Sequence, residues 1–479
     1  MKRTKVIATY GPAISSQGRL SQVVAAGVNI IRVNCSHGTT PDFVRAANSI
    51  RNATKKERFP VGLLFDISGP KLRLERFDGK VVVKLDQKLN LTTGRTELDK
   101  KTIAVNHPGI IRSIKKGQKV YIDDGNLIFE ALSSGDRWVT LKAVNGGTIL
   151  PGKGINLPQS DIRIPTISDK DKDDIKTAIR LKADYVALSF VRSAADVLEA
   201  RRIIESFGGD QQIIAKLEKK EAIDNLDKIL EVADGVMIAR GDLGVELPLA
   251  ELPDLQKKII RAANFRHKAV IVATQMLESM RFAPRPTRAE VNDVASAVYD
   301  GVDAVMLSAE TATGNYPVES VRTMEQIITA TEKTAQPLKI EVGRYKVSLE
   351  ITEAIAKAVS AHDGGCSTKL IFAFTTSGFT AAMISNLFPP QLVIALTPDP
   401  RVLTKLVLLR SVYPVQIEQP RSFDDMLDTV NDVARKYRLT QAGDKVVITG
   451  GVPFGSTVPT NFMMYHEMGK KQKHGRRSK

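Results

Sequence analysis

The sequence predicts an α/β protein: a (β/α)8 TIM barrel with an inserted small β-barrel lid domain and a C-terminal open α/β domain. Three observations carry this expectation. Eight apolar, β-branched runs recur through the first 310 residues and alternate with segments of helical period, the pattern of parallel βαβ units. The alternation breaks once, between residues 68 and 185, where short alternating runs are punctuated by Gly, Asn and Asp. After about residue 340 it starts again.

The eight runs are KVIATYG (5–11), NIIRVNCS (29–36), VGLLFDIS (61–68), YVALSFV (185–191), IIAKLE (213–218), GVMIARGD (235–242), AVIVATQM (269–276) and AVMLSAE (304–310). Their near-continuous apolar character suits a sheet buried on both faces. Eight is the number that closes a barrel. The helices are read from SQGRLSQVVAAG, DKDKDDIKTAIRLKA, SAADVLEARRIIESF and PVESVRTMEQIITATEKT. The interruption carries KVVVKLDQKLNLTT, GQKVYIDDGNLIFEALS and RWVTLKAVNGGTIL, an antiparallel β pattern placed at 70–164. It leaves the barrel at the C-terminal end of a strand, where barrels build active sites, so it reads as a mobile lid. Residues 1–69 and 165–340 are left for the catalytic barrel. The helix LEITEAIAKAVSAH and the runs KLIFAFTTSG, LVIALTPD, VYPVQIE and DKVVITGG place an open α/β domain at 341–468. Residues 469–479 are expected to form a basic, disordered tail.

Composition bounds the function. A chain of 479 residues that is 43% hydrophobic and 25% charged is globular and long enough for two or three domains. Its low aromatic content, with Trp138 alone of its type, is ordinary for an α/β protein. The only cysteines, Cys35 and Cys366, lie far apart and suit a reducing cytosol rather than a disulfide framework. No signal peptide and no apolar run of ~18 residues is found, which predicts a cytoplasmic protein without a membrane span. The net charge is +16, but GKKQKHGRRSK at the end holds six Lys and Arg, and subtracting them leaves +10. A solvated end explains that tail better than an RNA or membrane-surface contact. No zinc-ligand spacing or aromatic RNA-binding motif accompanies it, so no specific nucleic-acid partner is expected.

Polar residues at the C-terminal ends of barrel strands read as catalytic. Here strands end in Arg32, Asn34, Ser36 and His37; in Asp66, then Lys71 and Arg73; in Ser189 and Arg192; in Lys216 and Glu218; in Arg240 and Asp242; in Thr274 and Gln275; and in Ser308 and Glu310. Glu218 and Asp242 fall on neighbouring strands, without Cys or His nearby, and suit a hard ion such as Mg²⁺ or Mn²⁺. Two carboxylates leave coordination positions for water or substrate oxygens. Lys216, two residues before Glu218, shares its strand face. An ammonium beside a divalent cation stabilises an enolate or a transferring phosphoryl group. The glycines around Asp242 suit a helix start that binds a carboxylate. An ion-pair network filling the barrel mouth accounts for one such strand as well as catalysis does, but not for seven strands at once. His37 is as compatible with a structural role as with ligand binding. Adjacent Ser36 and His37 cannot make a nucleophile–base pair. GTTPDF and SGFTAA match no Walker or Rossmann phosphate loop.

These residues resemble the pyruvate kinase family along essentially the whole chain. The matching stretches include RTKVIATYGP, AGVNIIRVNCSHG, FDISGPKLR, KGINLP, SDKDKDDI, ALSFVRSAADV, IIAKLE, VMIARGDLGVELP, ATQMLESM, PRPTRAEVNDVASAVYDGVDAVMLSAETATGNYPVES and GDKVVITGGVP. The resemblance implies phosphoryl transfer from phosphoenolpyruvate to ADP, giving ATP and pyruvate in glycolysis. It implies that Glu218 and Asp242 hold Mg²⁺, that Lys216 stabilises the developing charge, and that Arg32 meets the phosphate. Gly241, Asp242 and Thr274 would meet the pyruvyl carboxylate. Asn34, His37, Arg73 and Lys153 would face the nucleotide. Thr274 and Ser308, with ordered water, are candidate proton donors. The resemblance also implies a homotetramer.

The chain departs from the family at several places. The family's K⁺ site corresponds to Asn34, Ser36, Asp66 and the carbonyl of Ile67, accompanied by a glutamate in DTKGPEIR; here DISGPKLR puts Lys71 in that place. An ammonium is monovalent and strongly hydrated like K⁺, so Lys71 is expected to supply the charge and remove the K⁺ requirement. Cys35 replaces a usual Phe, and Gln159 a usual Gly. In the C-terminal domain, Thr375, Thr376, Ser377, Gly378 and Thr380 form a turn able to donate to the phosphate of a sugar-phosphate or AMP effector, with Gly455, Ser456 and Thr457 across from it. Phe379, however, stands where a basic residue is common. Two further functions share part of this pattern. A metal-dependent lyase or aldolase acting through pyruvate enolate has the same Lys, Glu and Asp logic but needs no nucleotide side. A non-catalytic anion- or RNA-binding protein has only the basic tail in its favour.

Overall fold

The computed structural model describes residues 1–70, 72–99, 101–160, 165–334, 350–360, 368–453 and 458–469. Lys71, Cys366, Gly455, Ser456, Thr457 and all but Gly469 of the basic tail lie outside the described residues. Among the described residues, no helix is long and apolar enough to cross a membrane.

Eight parallel strands close into a barrel: Lys5–Thr9, Ile30–Asn34, Gly62–Ile67, Tyr185–Leu188, Gln212–Leu217, Gly235–Ala239, Ala269–Ala273 and Ala304–Leu307. They are numbered one to eight in that order below. All but the fifth are shorter than their apolar runs, because the chain turns as soon as it reaches the barrel mouth. Arg240 opens the helix Arg240–Glu246, so Asp242 sits in a helical first turn and not on the sixth strand. Glu218 likewise lies one residue past the fifth strand.

Two apolar layers hold the barrel. Val6, Val33, Phe65, Val186, Ala215, Val236, Val272 and Val305 face the surrounding helices, while Ile7, Ile30, Leu64, Tyr185, Ile214, Met237, Ile271 and Met306 fill the interior. The interior layer is completed by Val407 and Leu408 of the C-terminal domain. Tyr185, fully buried, donates its hydroxyl to the Thr404 carbonyl (2.6 Å) and accepts from Leu408 N (3.1 Å). The C-terminal domain thus corks the barrel floor.

The same floor shows a fourfold pattern. The residue just before each even-numbered strand is Asn or Asp, and its side chain accepts from an amide of the preceding odd-numbered strand. The pairs are Val6 N to Asn29 Oδ1 (3.0 Å), Leu63 N to Asp184 Oδ2 (2.7 Å), Ile213 N to Asp234 Oδ2 (2.8 Å) and Val270 N to Asp303 Oδ2 (2.9 Å). At the N-terminal end of a strand these amides would otherwise be orphaned, and burial makes that costly.

The insertion between strands three and four has its own core, including Leu91, Ile103, Val120, Phe129 and Leu141. A six-stranded sheet runs in the order Ile155–Asn156, Lys119–Ile122, Leu127–Ser134, Trp138–Ala143, Lys88–Thr92, Thr102–Ala104, with Gly147–Ile149 paired separately to Val81–Val83. Period-2 burial along Leu127–Ser134 and Trp138–Ala143 matches the alternation in their sequence. In the C-terminal domain, Leu370–Phe374 is the centre of a five-stranded sheet, flanked by Leu392–Thr397 and Val412–Gln416 on one side and Lys445–Gly450 on the other. A fifth strand, Phe462–Glu467, adds antiparallel to the edge. FMMYHE lacks both the β-branched residues and the clean alternation that mark a strand, so only the fold reveals it.

Candidate active site

Four charged side chains converge at the barrel mouth. Asp66, 1% exposed near the end of strand three, bridges two cations. Arg32 Nε reaches its Oδ2 at 2.7 Å and Lys216 Nζ its Oδ1 at 3.1 Å. Lys216 also pairs with Glu218 Oε1 (2.8 Å) and donates to Ser189 Oγ (2.7 Å). Strand neighbours explain the convergence: Arg32 comes from strand two, Asp66 from three, Ser189 follows four, and Lys216 lies on five. Burial opposes ionisation of Asp66, but Lys216 and Arg32 outweigh it and hold the carboxyl below its ordinary range. Burial also disfavours the Lys216 ammonium, and there Asp66 and Glu218 win, raising its pKa. The result is a Lys216 ammonium held in its charged form and fixed, through Asp66, beside Arg32.

Glu218 is 2% exposed, and its Oε2 accepts the Phe190 amide at 2.8 Å. Burial raises its pKa and the facing Asp242 carboxylate raises it further, against the pull of Lys216. Two carboxylates that repel each other beside a cavity fit a divalent cation, which would relieve both the repulsion and the desolvation. Among the described residues, no group of three or more His, Cys, Asp or Glu could hold a metal ion. Glu218 and Asp242 would hold such an ion as a two-carboxylate pair, open on the remaining sides. Asp242 borders a cavity of about 60 Å³ that separates it, Phe190 and Lys219 from the inserted-domain residues Asp124 and Asn156.

Strand seven ends in an unusual turn. Thr274 and Gln275 have φ of 69° and 55°. A β-branched residue in that region is costly. Here the Thr274 hydroxyl donates to the Ala273 carbonyl (2.6 Å) and accepts from Gly241 N (2.9 Å), joining strands six and seven. After strand eight, the fully buried Glu310 accepts from Ser308 N (2.7 Å) and Leu277 N (3.1 Å). Burial raises its pKa. It fixes the loop carrying Ser308.

The nucleotide-side candidates separate into two groups. Arg73 and Lys153 are neighbours in the inserted domain: Leu74 N donates to the Lys153 carbonyl (2.9 Å), and Arg73 donates to the Gly152 carbonyl (3.0 Å). Lys153 pairs with Asp123 at 2.6 Å. Asn34, Ser36 and His37 form the turn after strand two, with Asn34 Oδ1 accepting from Ser36 N (3.1 Å) and His37 exposed. Asn34 lies beside Asp66 in register, with Ile67 following it. Cys35 is wholly buried among apolar side chains, as a packing swap requires. Gln159 is tied to the sheet edge, its Oε1 accepting from Lys119 N (2.9 Å).

In the C-terminal domain, Thr375, Thr376, Ser377 and Thr380 line a cavity of about 310 Å³ with Gln419 and Thr460. Gly378, at φ 87°, lets the turn form, and its amide donates to Thr375 Oγ1 (2.9 Å).

Sequence comparison decides among the enzymes that such a mouth would serve. The family described as "Pyruvate kinase, barrel domain" matches residues 1–321, and "Pyruvate kinase, alpha/beta domain" matches residues 353–466. The chain belongs to the pyruvate kinase family. It is 41% identical over 470 residues to the pyruvate kinase of Geobacillus stearothermophilus, covering 97% of this chain and 80% of that one. The pyruvate kinases of Sporosarcina psychrophila (39% over 474 residues, 98% and 81%) and Lactobacillus delbrueckii subsp. bulgaricus (39% over 484 residues, 99% and 82%) are also similar. Membership makes the chain a phosphotransferase and gives no support to the lyase or aldolase alternative.

Several features of this candidate site were not anticipated from sequence. Asp66 as the bridge between Arg32 and Lys216 is one, and the Phe190 amide on Glu218 is another. Thr9 is a third: its hydroxyl accepts from Arg32 Nη1 (3.0 Å) and donates to the Leu307 carbonyl (2.8 Å). Thr9 ends a strand as the other candidates do, so the strand-end rule reaches it.

Proposed function

We propose that the chain transfers the phosphoryl group of phosphoenolpyruvate to ADP, giving ATP and pyruvate in glycolysis. The observation that carries this reading is the Lys216 ammonium, held by Asp66, Glu218 and Ser189 between Arg32 and the Glu218–Asp242 pair. Phosphoryl transfer needs positioning and charge neutralisation more than covalent chemistry. Arg32 binds the phosphate. Lys216 stabilises the charge that grows on the enolate oxygen and on the moving phosphoryl group, from a fixed position that needs no reorganisation. Gly241, Asp242 and Thr274 orient the pyruvyl carboxylate. Thr274 and Ser308, with ordered water, deliver the proton to the methylene carbon. Mg²⁺ or Mn²⁺ on Glu218 and Asp242 would supply further neutralisation of substrate oxygens.

Asn34, His37, Arg73 and Lys153 face ADP, with residues 70–164 as the lid, 1–69 and 165–340 as the barrel, and 341–468 as the regulatory domain. Lys71 supplies the charge of the K⁺ that Asn34, Ser36, Asp66 and the Ile67 carbonyl would otherwise hold. The hydroxyl-lined cavity at Thr375, Thr376, Ser377, Gly378 and Thr380 suits the phosphate of a sugar-phosphate or AMP effector. The assembly is a homotetramer in the cytoplasm.

The deciding assay supplies phosphoenolpyruvate, ADP and Mg²⁺ and follows pyruvate, with Lys216→Met as control. ADP-dependent pyruvate lost in the control is the expected result. No pyruvate, or pyruvate formed without ADP, overturns the reading.

A further inference from the structure

The chain crosses between barrel and inserted domain twice, and one carboxylate touches both crossings. The outgoing connection is Ser68–Gly69, just after strand three; the return ends at Ser168, just before the helix Asp169–Arg180. Asp171 is fully buried. Its Oδ1 accepts from Ser68 Oγ (3.2 Å) and Gly69 N (3.1 Å). Its Oδ2 accepts from Ser168 N (2.8 Å) and Ser168 Oγ (2.5 Å).

Half of this is a helix cap. Ser168 and Asp171 form a capping box, the reciprocal exchange that satisfies two amides at a helix start. A cap needs one carboxylate oxygen. The second oxygen here is spent on a segment about a hundred residues earlier in sequence. The next helix repeats the device: in the Ser193–Asp196 capping box, Asp196 Oδ2 accepts from Ser193 N (2.9 Å) while Oδ1 accepts from Thr166 Oγ1 (2.6 Å), on the return connection again. By contrast, Asp42 in the Thr39–Asp42 box is exposed and pairs only with its own helix.

What the clamp holds lies against the site. Gly69 has φ 64°, and a Cβ there would sit 2.9 Å from the Phe190 ring. The Phe190 amide is the one that Glu218 accepts. Lys170, next to Asp171, donates to the Cys35 carbonyl at 2.9 Å, inside the Asn34–His37 turn. One helix start therefore fixes the outgoing connection, the return connection and the turn after strand two.

We infer that Asp171 is a positioning residue for the nucleotide half of the site: it locks both connections so that the inserted domain carrying Arg73 and Lys153 keeps a fixed relation to the barrel that carries the Asn34–His37 turn. This rests on the phosphoryl-transfer reading above for what those residues bind. Asp171 touches no substrate. Its contribution is preorganisation, so its loss falls on the substrate gripped between the two domains.

Asp171→Asn tests it. Asparagine keeps the size but cannot accept from amides on both sides. Losing one charge-assisted set predicts a rise of about tenfold in KM for ADP, with KM for phosphoenolpyruvate within about twofold. Trp138, the sole tryptophan, lies half exposed in the inserted domain. Its time-resolved fluorescence anisotropy should gain a faster segmental component in the variant. Ser68→Ala leaves the helix cap intact and should shift both readouts in the same direction by a smaller amount, which keeps the test open if Asp171→Asn folds poorly. Equal changes in both KM values, or an unchanged ADP KM with an unchanged Trp138 decay, overturn the inference. Absence of ADP-dependent pyruvate in the unmodified chain would overturn the functional reading instead, and the Trp138 decay would still report on the clamp.

Discussion

The Arg240 guanidinium donates to the Thr274 carbonyl at 2.7 Å while its other arm pairs with Asp293 at 2.6 Å. This fork holds a threonine at φ 69° against a conformational cost of roughly 1–3 kcal/mol. Arg240 thereby sets where the Thr274 hydroxyl sits relative to Gly241. Arg240→Lys keeps the charge and loses the fork. A misplacement of about 1 Å is enough to cost on the order of 10²-fold in kcat. Steady-state kinetics should show that loss with a far smaller fall in thermal stability. An unchanged kcat would show that Thr274 holds its place without Arg240.

Lys216 is also a structural cation. Among the described residues, its removal leaves Asp66 with Arg32 as its one cation and Glu218 with no positive partner, both nearly fully buried. Breaking a buried ion pair from one side costs about 3–5 kcal/mol. Lys216→Met should therefore be both inactive and clearly less stable in metal-free urea unfolding. Adding Glu218→Gln should recover part of the stability and none of the activity. A single variant as stable as the unmodified chain would show that water reaches these carboxylates.

Asp303, at the corked floor, gives a pH dependence of known sign. Burial pushes its carboxyl up to about 6, against the amides of Arg410 and Val270 and the charges of Arg410 and Lys5. In the unfolded chain it titrates near 3.9. Between these values the folded state holds the extra proton, so the contribution is complete below about pH 4 and is lost as pH rises through about 6. Relative to Asp303→Asn, the unmodified chain should lose about 2–3 kcal/mol of unfolding stability across that window and be flat above it. A difference independent of pH would place the Asp303 pKa in the ordinary carboxylate range.

The floor shows how far the sequence could be read. Asn29, Asp184, Asp234 and Asp303 stand just before their strands in AGVN, KAD, VAD and GVD, so the repeat is visible in the chain. Its meaning needs closure, because each accepts from an amide of the strand next door. Lys216, Glu218 and Arg32 were legible because a charge that closes an apolar run is hard to place in a core and easy to place in a site. Asp66 was legible as a site residue but not as a bridge, since its partners come from strands two and five. Asp171 reads as a helix cap in SDKD, and only folding brings Ser68 to its other oxygen. Nothing local to Tyr185 foretold that its hydroxyl would meet the C-terminal domain.

Lys71 supplies the prediction most particular to this chain. The family motif with a glutamate at this place accompanies a K⁺ ion, and here the sequence reads DISGPKLR. On the proposed reading, the Lys71 ammonium does the electrostatic work of that ion without the entropy of binding it. Activity should then be the same in K⁺ and in tetramethylammonium at equal ionic strength. Lys71→Glu should restore the dependence: activity down by about 10²-fold in tetramethylammonium, the scale of losing one preorganised charge, and recovered by K⁺. A strong loss of rate when the unmodified chain is moved from K⁺ to tetramethylammonium would show that Lys71 does not replace the ion.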